Sequence, residues 1–226
     1  FGEQVKVISI ANDGWAQVEC CSDFYTGCCR MNQFLILDKM IECTREYSAD
    51  WIQPIEVNNE TVMIPLGTDL SLLKASVENL KINYRHNITS AKAEIFSEEN
   101  IKRFSKPYLN SAYLWGGRTV FGIDCSGFAQ AVFKMMNIAL PRDANQQVNE
   151  GEGIGFLPEV KAGDLDFFDD EAGNIVHVGI LLNAQQIIHA SGSVRIDHID
   201  SGGIIHTTTH QRTHQLRVIK RVAQLC

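Results

Sequence analysis

A nucleophilic thiol needs a way to lose its proton, a base to take it and a group that orients the base. Three residues of this chain could meet those needs. Cys125 lies in Asp124-Cys125-Ser126-Gly127, where a loop passes into the apolar segment Phe128 to Leu140. The unpaired N–H groups and dipole at a helix start favour a thiolate. Gly116 and Gly117, just upstream, permit a sharp turn. His177 sits in Val176-His177-Val178-Gly179-Ile180, and His189 in Ile187-Ile188-His189-Ala190. Both segments read as strands, in which alternate side chains share a face. Pairing of the two as a hairpin across Asn183-Ala184-Gln185 would bring the imidazoles together. His189 could then bind the far ring nitrogen of His177 and fix its tautomer. Each residue also has a plain reading, as a core histidine or a structural cysteine, and spacing alone leaves both open.

The histidine content invites a metal reading. His177, His189, His198, His206, His210 and His214 crowd one region, yet none forms a His-x-x-x-His pair with an intervening Glu. His206 and His210 have the interval but are joined by Thr207-Thr208-Thr209, which favours strand or loop. Cys20-Cys21 and Cys28-Cys29 lack the Cys-x-x-Cys spacing of zinc knuckles. No metal and no cofactor is expected.

The elements that must position these groups follow from the pattern along 226 residues. Residues 1 to 90 read as β-rich. Val5 to Ile10 and Trp15 to Cys20 alternate around the turn Asn12-Asp13-Gly14, Tyr25-Thr26-Gly27 marks another turn, and Phe34 to Leu37 is a short apolar run. Residues 38 to 50 read as a linker or a helical turn. Glu60 to Ile64 leads into the turn at Pro65-Leu66-Gly67. A domain boundary is expected near residue 90, giving units 1–90 and 91–226. In the second, Ser97 caps a helix with Glu98 and Glu99 in its first turn. A helix over 126–140 follows, ended by Pro141, with Asp143 as cap of a short helix beyond. Strands are expected at Gly163–Phe168, Val176–Leu182, Gln186–Ala190 and Leu216–Ile219. Helices first and strands afterwards indicate an α+β domain with a mostly antiparallel sheet.

Composition narrows the function classes. A hydrophobic fraction of 45% with 21% charged residues is that of a globular chain. A formal net charge of −7 argues against nucleic-acid binding. No run of eighteen apolar residues suggests a membrane span. The seven cysteines show no disulfide-scaffold spacing, which favours a reducing compartment. The first residue is Phe1, so the start of the chain carries no information on a leader.

Several motifs occur together, in order: Tyr113-x-Trp115-Gly116-Gly117, Asp124-Cys125-Ser126-Gly127, Leu140-Pro141-Arg142, Gly163-Asp164-Leu165-x-Phe167-Phe168, His177-Val178-Gly179-Ile180 and His189-Ala190-Ser191-Gly192. From about residue 95 to 226 the chain resembles the NlpC-type cysteine peptidases, papain-like bacterial enzymes that cut cell-wall peptides. One departure is Asp166, where the family usually has an apolar residue. Ahead of it, Gly2-Glu3-x-Val5-x-Val7, Gly14-Trp15 and Tyr25-x-Gly27 resemble the bacterial SH3-like domain, with Cys28 in place of that family's usual Trp and the opening strand short or missing. The resemblance implies an α+β fold, a papain-like domain with a central helix on an antiparallel sheet, preceded by an SH3-like β-barrel of one or two units.

It further implies that Cys125 is the nucleophile, His177 the base and His189 the orienting residue. The Cys125 backbone N–H and the Tyr113 hydroxyl would hold the oxyanion, and an imidazolium partner would depress the thiol pKa. Family members with an SH3-like domain resemble γ-D-glutamyl-L-diamino acid endopeptidases, which act on murein peptides with a free L-Ala amine. On that likeness Asp124 and Tyr25 would read the amine, Ser126 would hydrogen-bond beside it, and Arg142 would hold a substrate carboxylate. The expected partner is the murein peptide L-Ala-γ-D-Glu-diamino acid, met by a monomer in the bacterial cytoplasm, with the periplasm left open. The alternatives are an N-acetylmuramoyl-L-alanine amidase and a non-catalytic cell-wall-binding protein.

Overall fold

The computed structural model describes residues 1–222 apart from 38, 76 and 78. Cys226 lies outside the described residues, as does part of the stretch read as a linker. The chain divides into two compact units, Phe1–Ala91 and Lys92–Cys226.

Unit 1 is built from short strands. β1 (Val5–Ile10), β2 (Trp15–Cys20) and β3 (Thr26–Arg30) form an antiparallel meander. The strands β4 (Glu46–Ser48), β5 (Ile52–Val57), β6 (Glu60–Pro65), β7 (Ile82–Asn83) and β8 (Ile88–Ser90) make two more sheets: β5 lies between β6 and β7, and β4 pairs with β8. Alternation on β5 and β6 buries Ile55 and Ile64 against Leu70, the centre of a small core. Two expectations change. The apolar run Phe34 to Leu37 lies outside the strands, with Leu35 and Ile36 exposed. The stretch read as a linker or helical turn carries β4, because Glu46 to Ser48 finds an antiparallel partner about forty residues on, at Ile88 to Ser90.

Unit 2 opens with α1 (Glu98–Ser105), capped by Ser97, whose Oγ accepts from the Asn100 N–H at 3.2 Å. The two-residue strands β9 (Arg118–Thr119) and β10 (Gly122–Ile123) then lead into α2 (Cys125–Lys134). α2 is almost wholly buried, from Cys125 through Phe133. It stops at Lys134 instead of running to residue 140. Asn137 takes the left-handed conformation at φ 61°, and the Ile138 N–H bonds back to the Phe133 carbonyl at 3.1 Å. That is a Schellman-type stop, which satisfies carbonyls the helix leaves open. α3 (Ala144–Gln147) follows; the Gln146 side chain accepts from the Asp143 N–H at 3.2 Å.

The strands of unit 2 are β11 (Glu152–Ile154), β12 (Leu165–Asp169), β13 (Ile175–Asn183), β14 (Gln186–Ser191), β15 (Ser193–Asp200), β16 (Gly203–Ile205) and β17 (Arg212–Arg221). Neighbours run in the order β11-β17-β12-β13-β14-β15-β16, and β16 bonds back to β17. The sheet therefore closes on itself: β12 to β17 form a six-stranded antiparallel ring, and β11 lies outside it on β17. One residue from each ring strand enters a shared core: Phe168, Leu181, Ile187, Ile199, Ile204 and Ile219. Closure leaves this interior to be filled by side chains. The opposite faces of β13 and β14 pack against α2, where Val178, Ile180, Ile188 and Phe128 are completely buried. Burying each such side chain stabilises the domain by roughly 1.5–3 kcal/mol. The fold is α+β, as expected, with the sheet curled into a ring. No helix of the described residues is long and apolar enough to cross a membrane.

Candidate active site

Cys125 is the first residue of α2 and is 7% exposed. Asp124 is the helix N-cap, and its Oδ1 accepts from the Gly127 N–H at 2.7 Å. Gly127 has to be glycine: a Cβ there would meet the Gly117 carbonyl oxygen at 2.5 Å and Asp124 Oδ1 at 2.9 Å. The start of the helix and the glycine loop are thus locked together around the thiol.

The hairpin across Asn183-Ala184-Gln185 forms, with Asn183 opposite Gln186 and Ile180 opposite Ile188. The β13–β14 register ends at Ile180, short of the histidines. Beyond it, the Val178 backbone amide hydrogen-bonds the Cys125 sulfur. That bond ties the thiol to β13 at the residue that follows His177. At Gly179 a Cβ would meet Ile187 Cδ1 at 2.5 Å and His189 Cβ at 3.0 Å. The missing side chain lets β14 approach, and His177 Nε2 lies 2.9 Å from His189 Nδ1.

A fourth residue completes the chain of contacts. His189 Nε2 lies 3.0 Å from Asp197 Oδ2, on β15. Asp197 also accepts from Arg195 Nε at 2.7 Å and from the Thr207 N–H at 2.9 Å. These contacts fix the protons. A carboxylate only accepts, so His189 Nε2 carries the hydrogen. His189 Nδ1 is then an acceptor, and His177 Nε2 donates to it. The lone pair of His177 is left at Nδ1. Sequence reasoning missed Asp197. The signal was the β14–β15 hairpin turning at Gly192, which sets Arg195 opposite His189 and Asp197 two residues on.

The electrostatics differ from an ion pair. Burial pushes the Cys125 thiol above its ordinary value, and the Asp124 charge adds to this. The backbone amides of Val178, Ser126 and Cys125 act the other way without prevailing. Burial also pushes His177 well below its usual value, with His189, His214 and Arg195 in the same direction. His189 is lowered by burial, partly offset by its bond to Asp197. Burial opposes ionisation of Asp197, but hydrogen bonds from His189, Thr207 and Arg195 hold its carboxyl well below the usual carboxylate range. The resting pair is neutral thiol and neutral imidazole. This is the reverse of the depressed thiol implied by family likeness, because desolvation outweighs the helix start.

Around the thiol, Tyr113 is half-buried. Burial raises its hydroxyl pKa, and the charges of Cys125 and Asp124 add to the rise, which places the phenol in the field of the Cys125 sulfur. Asp124 and Arg142 form a buried, bidentate ion pair, with Nη1 to Oδ1 at 3.1 Å and Nη2 to Oδ2 at 2.5 Å. Asp124 Oδ2 also accepts from the Gly116 N–H at 2.8 Å. Ser126 Oγ lies 3.3 Å from Asp124 Oδ1 and accepts from Arg142 Nη1 at 2.9 Å. Asp124, Ser126 and Arg142 are therefore one network. Tyr25 belongs to unit 1, where it is 41% exposed and its N–H donates to Asp23 Oδ1 at 3.1 Å.

His177, His189 and His214 offer nitrogen atoms that all lie within 4.8 Å of one another. The His177 and His214 rings are stacked at 23°, so their lone pairs lie in two nearly parallel planes, a poor arrangement for sharing one ion. Two of these nitrogens, on His177 and His189, are already joined by a hydrogen bond.

A sequence profile described as the NlpC/P60 family matches residues 110–213. The chain is 42% identical over 94 residues to a γ-D-glutamyl-L-lysine dipeptidyl-peptidase of Bacillus subtilis (strain 168), covering 41% of this chain and 31% of that protein. It is 30% identical over 148 residues to a probable endopeptidase NlpC homolog of Haemophilus influenzae, covering 62% of this chain and 78% of the relative. In fold it is similar to an NlpC/P60 family protein from Bacillus cereus ATCC 10987, with a TM-score of 0.80 at 21% identity over 97% of this chain and 79% of the other.

Proposed function

The chain belongs to the NlpC/P60 family, and from that premise we propose that it is a cysteine peptidase cleaving the bond between the γ-carboxyl of D-Glu and the diamino acid of murein peptides. The observation that carries this reading is the relay Asp197–His189–His177, which leaves a lone pair at Nδ1 of His177 for the role of base. Because the match spans only 31% of the Bacillus subtilis relative, the substrate comes from its name and from site chemistry together.

In this reading the Cys125 sulfur attacks the γ-carbonyl carbon while its proton passes to His177 Nδ1. The imidazolium is stabilised through His189 by the Asp197 carboxylate. Negative charge on the carbonyl oxygen is met by the Cys125 N–H at the open start of the helix and by the Tyr113 hydroxyl. His177 then gives its proton to the departing amine of the diamino acid, and a thioester remains. Water attacks the thioester, His177 takes the water proton, and the sulfur recovers it as the acid leaves. The protein would act as a monomer on cytoplasmic turnover peptides.

A second specificity is favoured by the Asp124 contacts. Its oxygens already accept from Gly116, Gly127 and Arg142, so an ammonium would have to share a carboxylate whose lone-pair sites are largely taken. An enzyme that also accepts stems with a blocked L-Ala amine fits that network. Incubation with L-Ala-γ-D-Glu-meso-diaminopimelate and with its N-acylated form, followed by mass analysis, separates the two. Release of diaminopimelate from the free-amine peptide alone supports amine recognition. Equal cleavage of both overturns amine recognition and supports the broader specificity. No cleavage of either by the wild type, with Cys125→Ala as control, overturns the peptidase assignment.

A further inference from the structure

His214 lies on β17, one of the strands that close the ring, and its ring faces His177 at a centroid distance of 4.2 Å and an interplanar angle of 23°. The same ring stands edge-on to His189 at 5.7 Å and to Phe168 at 5.8 Å. We infer that His214 is a positioning residue, whose stacked ring fixes the plane of the base His177 so that Nδ1 stays aimed at Cys125 through both proton transfers. This rests on the proposed pairing of Cys125 with His177.

The reason lies in how His177 is held. Its Nδ1 must remain open for the thiol proton, so its one ring hydrogen bond among the described residues is from Nε2 to His189 Nδ1. A single N–H···N contact leaves an imidazole free to swing about that axis. A flat neighbour removes the swing, because rotation drives the ring edge into it. His189 meets His177 nearly at right angles, at 83°, and cannot supply that face. Phe168 is tilted at 44° and centred 5.6 Å away, so it supports the edge of the ring. Only His214, among these three, lies flat.

Charge is consistent with this role. Burial lowers the His214 pKa to about 4, with His189 and Arg195 acting in the same direction and Asp197 opposing. At neutral pH the ring is uncharged and presents a π-face to the imidazolium that forms on His177, an attractive arrangement. Its Nδ1 lies 2.9 Å from the Thr213 hydroxyl, a contact within its own strand that leaves the ring face free for His177.

The test compares His214→Phe with His214→Ala in the full chain. The alanine variant is expected to lose about 10- to 100-fold in kcat with KM little changed, as for a misaimed base, while phenylalanine stays within about threefold of wild type. Nitrogen NMR of the histidine rings should show His177 locked as the Nε2–H tautomer in wild type and in His214→Phe, and averaging between tautomers in His214→Ala. Unchanged kcat and tautomer in His214→Ala would overturn the proposal. So would equal damage from Phe and Ala, which would mean that the nitrogens of His214 matter and its face does not. If the alanine variant fails to fold, His214→Leu, similar in bulk but not flat, takes its place under the same criteria. The NMR readout needs no substrate, so failure of the wild type to cleave any murein peptide would sink the functional reading and still leave the stacking decided.

Discussion

Asp197 Oδ2 lies 3.0 Å from His189 Nε2, and this contact decides which nitrogen of His177 keeps its lone pair. Replacing Asp197 by Asn offers His189 an amide donor in place of an obligate acceptor. The tautomers of both histidines can then reverse, moving the free lone pair of His177 away from the thiol. Asp197→Asn is expected to lower kcat by about 10²- to 10⁴-fold, as when the orienting carboxylate of a serine-protease triad is neutralised. Steady-state kinetics check it, with a melting curve to confirm that the fold persists.

The neutral resting pair has its own signature. His177 is pushed down, so it is uncharged at neutral pH, and Cys125 is pushed up from 9.0, so it is still a thiol there. A preformed thiolate–imidazolium pair would give a plateau in alkylation rate from acid pH onward. Here the rate of Cys125 alkylation by iodoacetamide is expected to keep rising through pH 9.0 and beyond. A plateau from pH ~5 would show that the ion pair exists before substrate binds.

What could be read in the sequence follows from how local the information is. Cys125, His177 and His189 were legible because each lies in a short motif whose element type is plain, and one tight turn joins the two histidine strands. The helix start at Asp124 was legible for the same reason. Asp197 required the register of a second hairpin, set by the turn at Gly192. His214 required closure of the ring, in which β17 pairs with both β12 and β16. A short turn joins β16 to β17, but none joins β12 to β17. The sequence also cannot report burial, and burial sets the protonation of Cys125 and His177. Arg142 illustrates a further limit: read alone it was a ligand for a substrate carboxylate, whereas in the fold its partner is a carboxylate of the chain, 18 positions earlier.

The Asp124–Arg142 pair therefore makes a prediction about stability before any about specificity. Both side chains are buried, and losing one partner strands the other charge. Arg142→Met is expected to destabilise unit 2 by about 3–5 kcal/mol, and the double variant Asp124→Asn/Arg142→Met by less than the sum of the single changes. Denaturant titration of the four proteins gives the coupling. Additive losses would show that the pair does not hold the helix start, and would return both groups to substrate binding alone.

Asp166 makes the last prediction. It is completely buried on β12, between Gly179 and Ile219 in register, and among the described residues neither of its oxygens has a hydrogen-bond partner. Burial raises its pKa well above 3.8, and the charge of Asp164 adds to the rise. A carboxyl raised in the folded state favours folding least where it must ionise. Its relative contribution is whole below pH 3.8 and is lost as the pH climbs through the folded value. Asp166→Leu is expected to raise the melting temperature by several degrees at pH ~8 and by much less at pH ~4, since removing an unpaired buried polar group recovers on the order of 1–3 kcal/mol. Differential scanning calorimetry at the two values checks it. A pH-independent gain would mean that Asp166 stays protonated throughout and that its effect is one of packing. A loss at both would mean that the carboxyl has a bound partner, such as an internal water, that a leucine displaces.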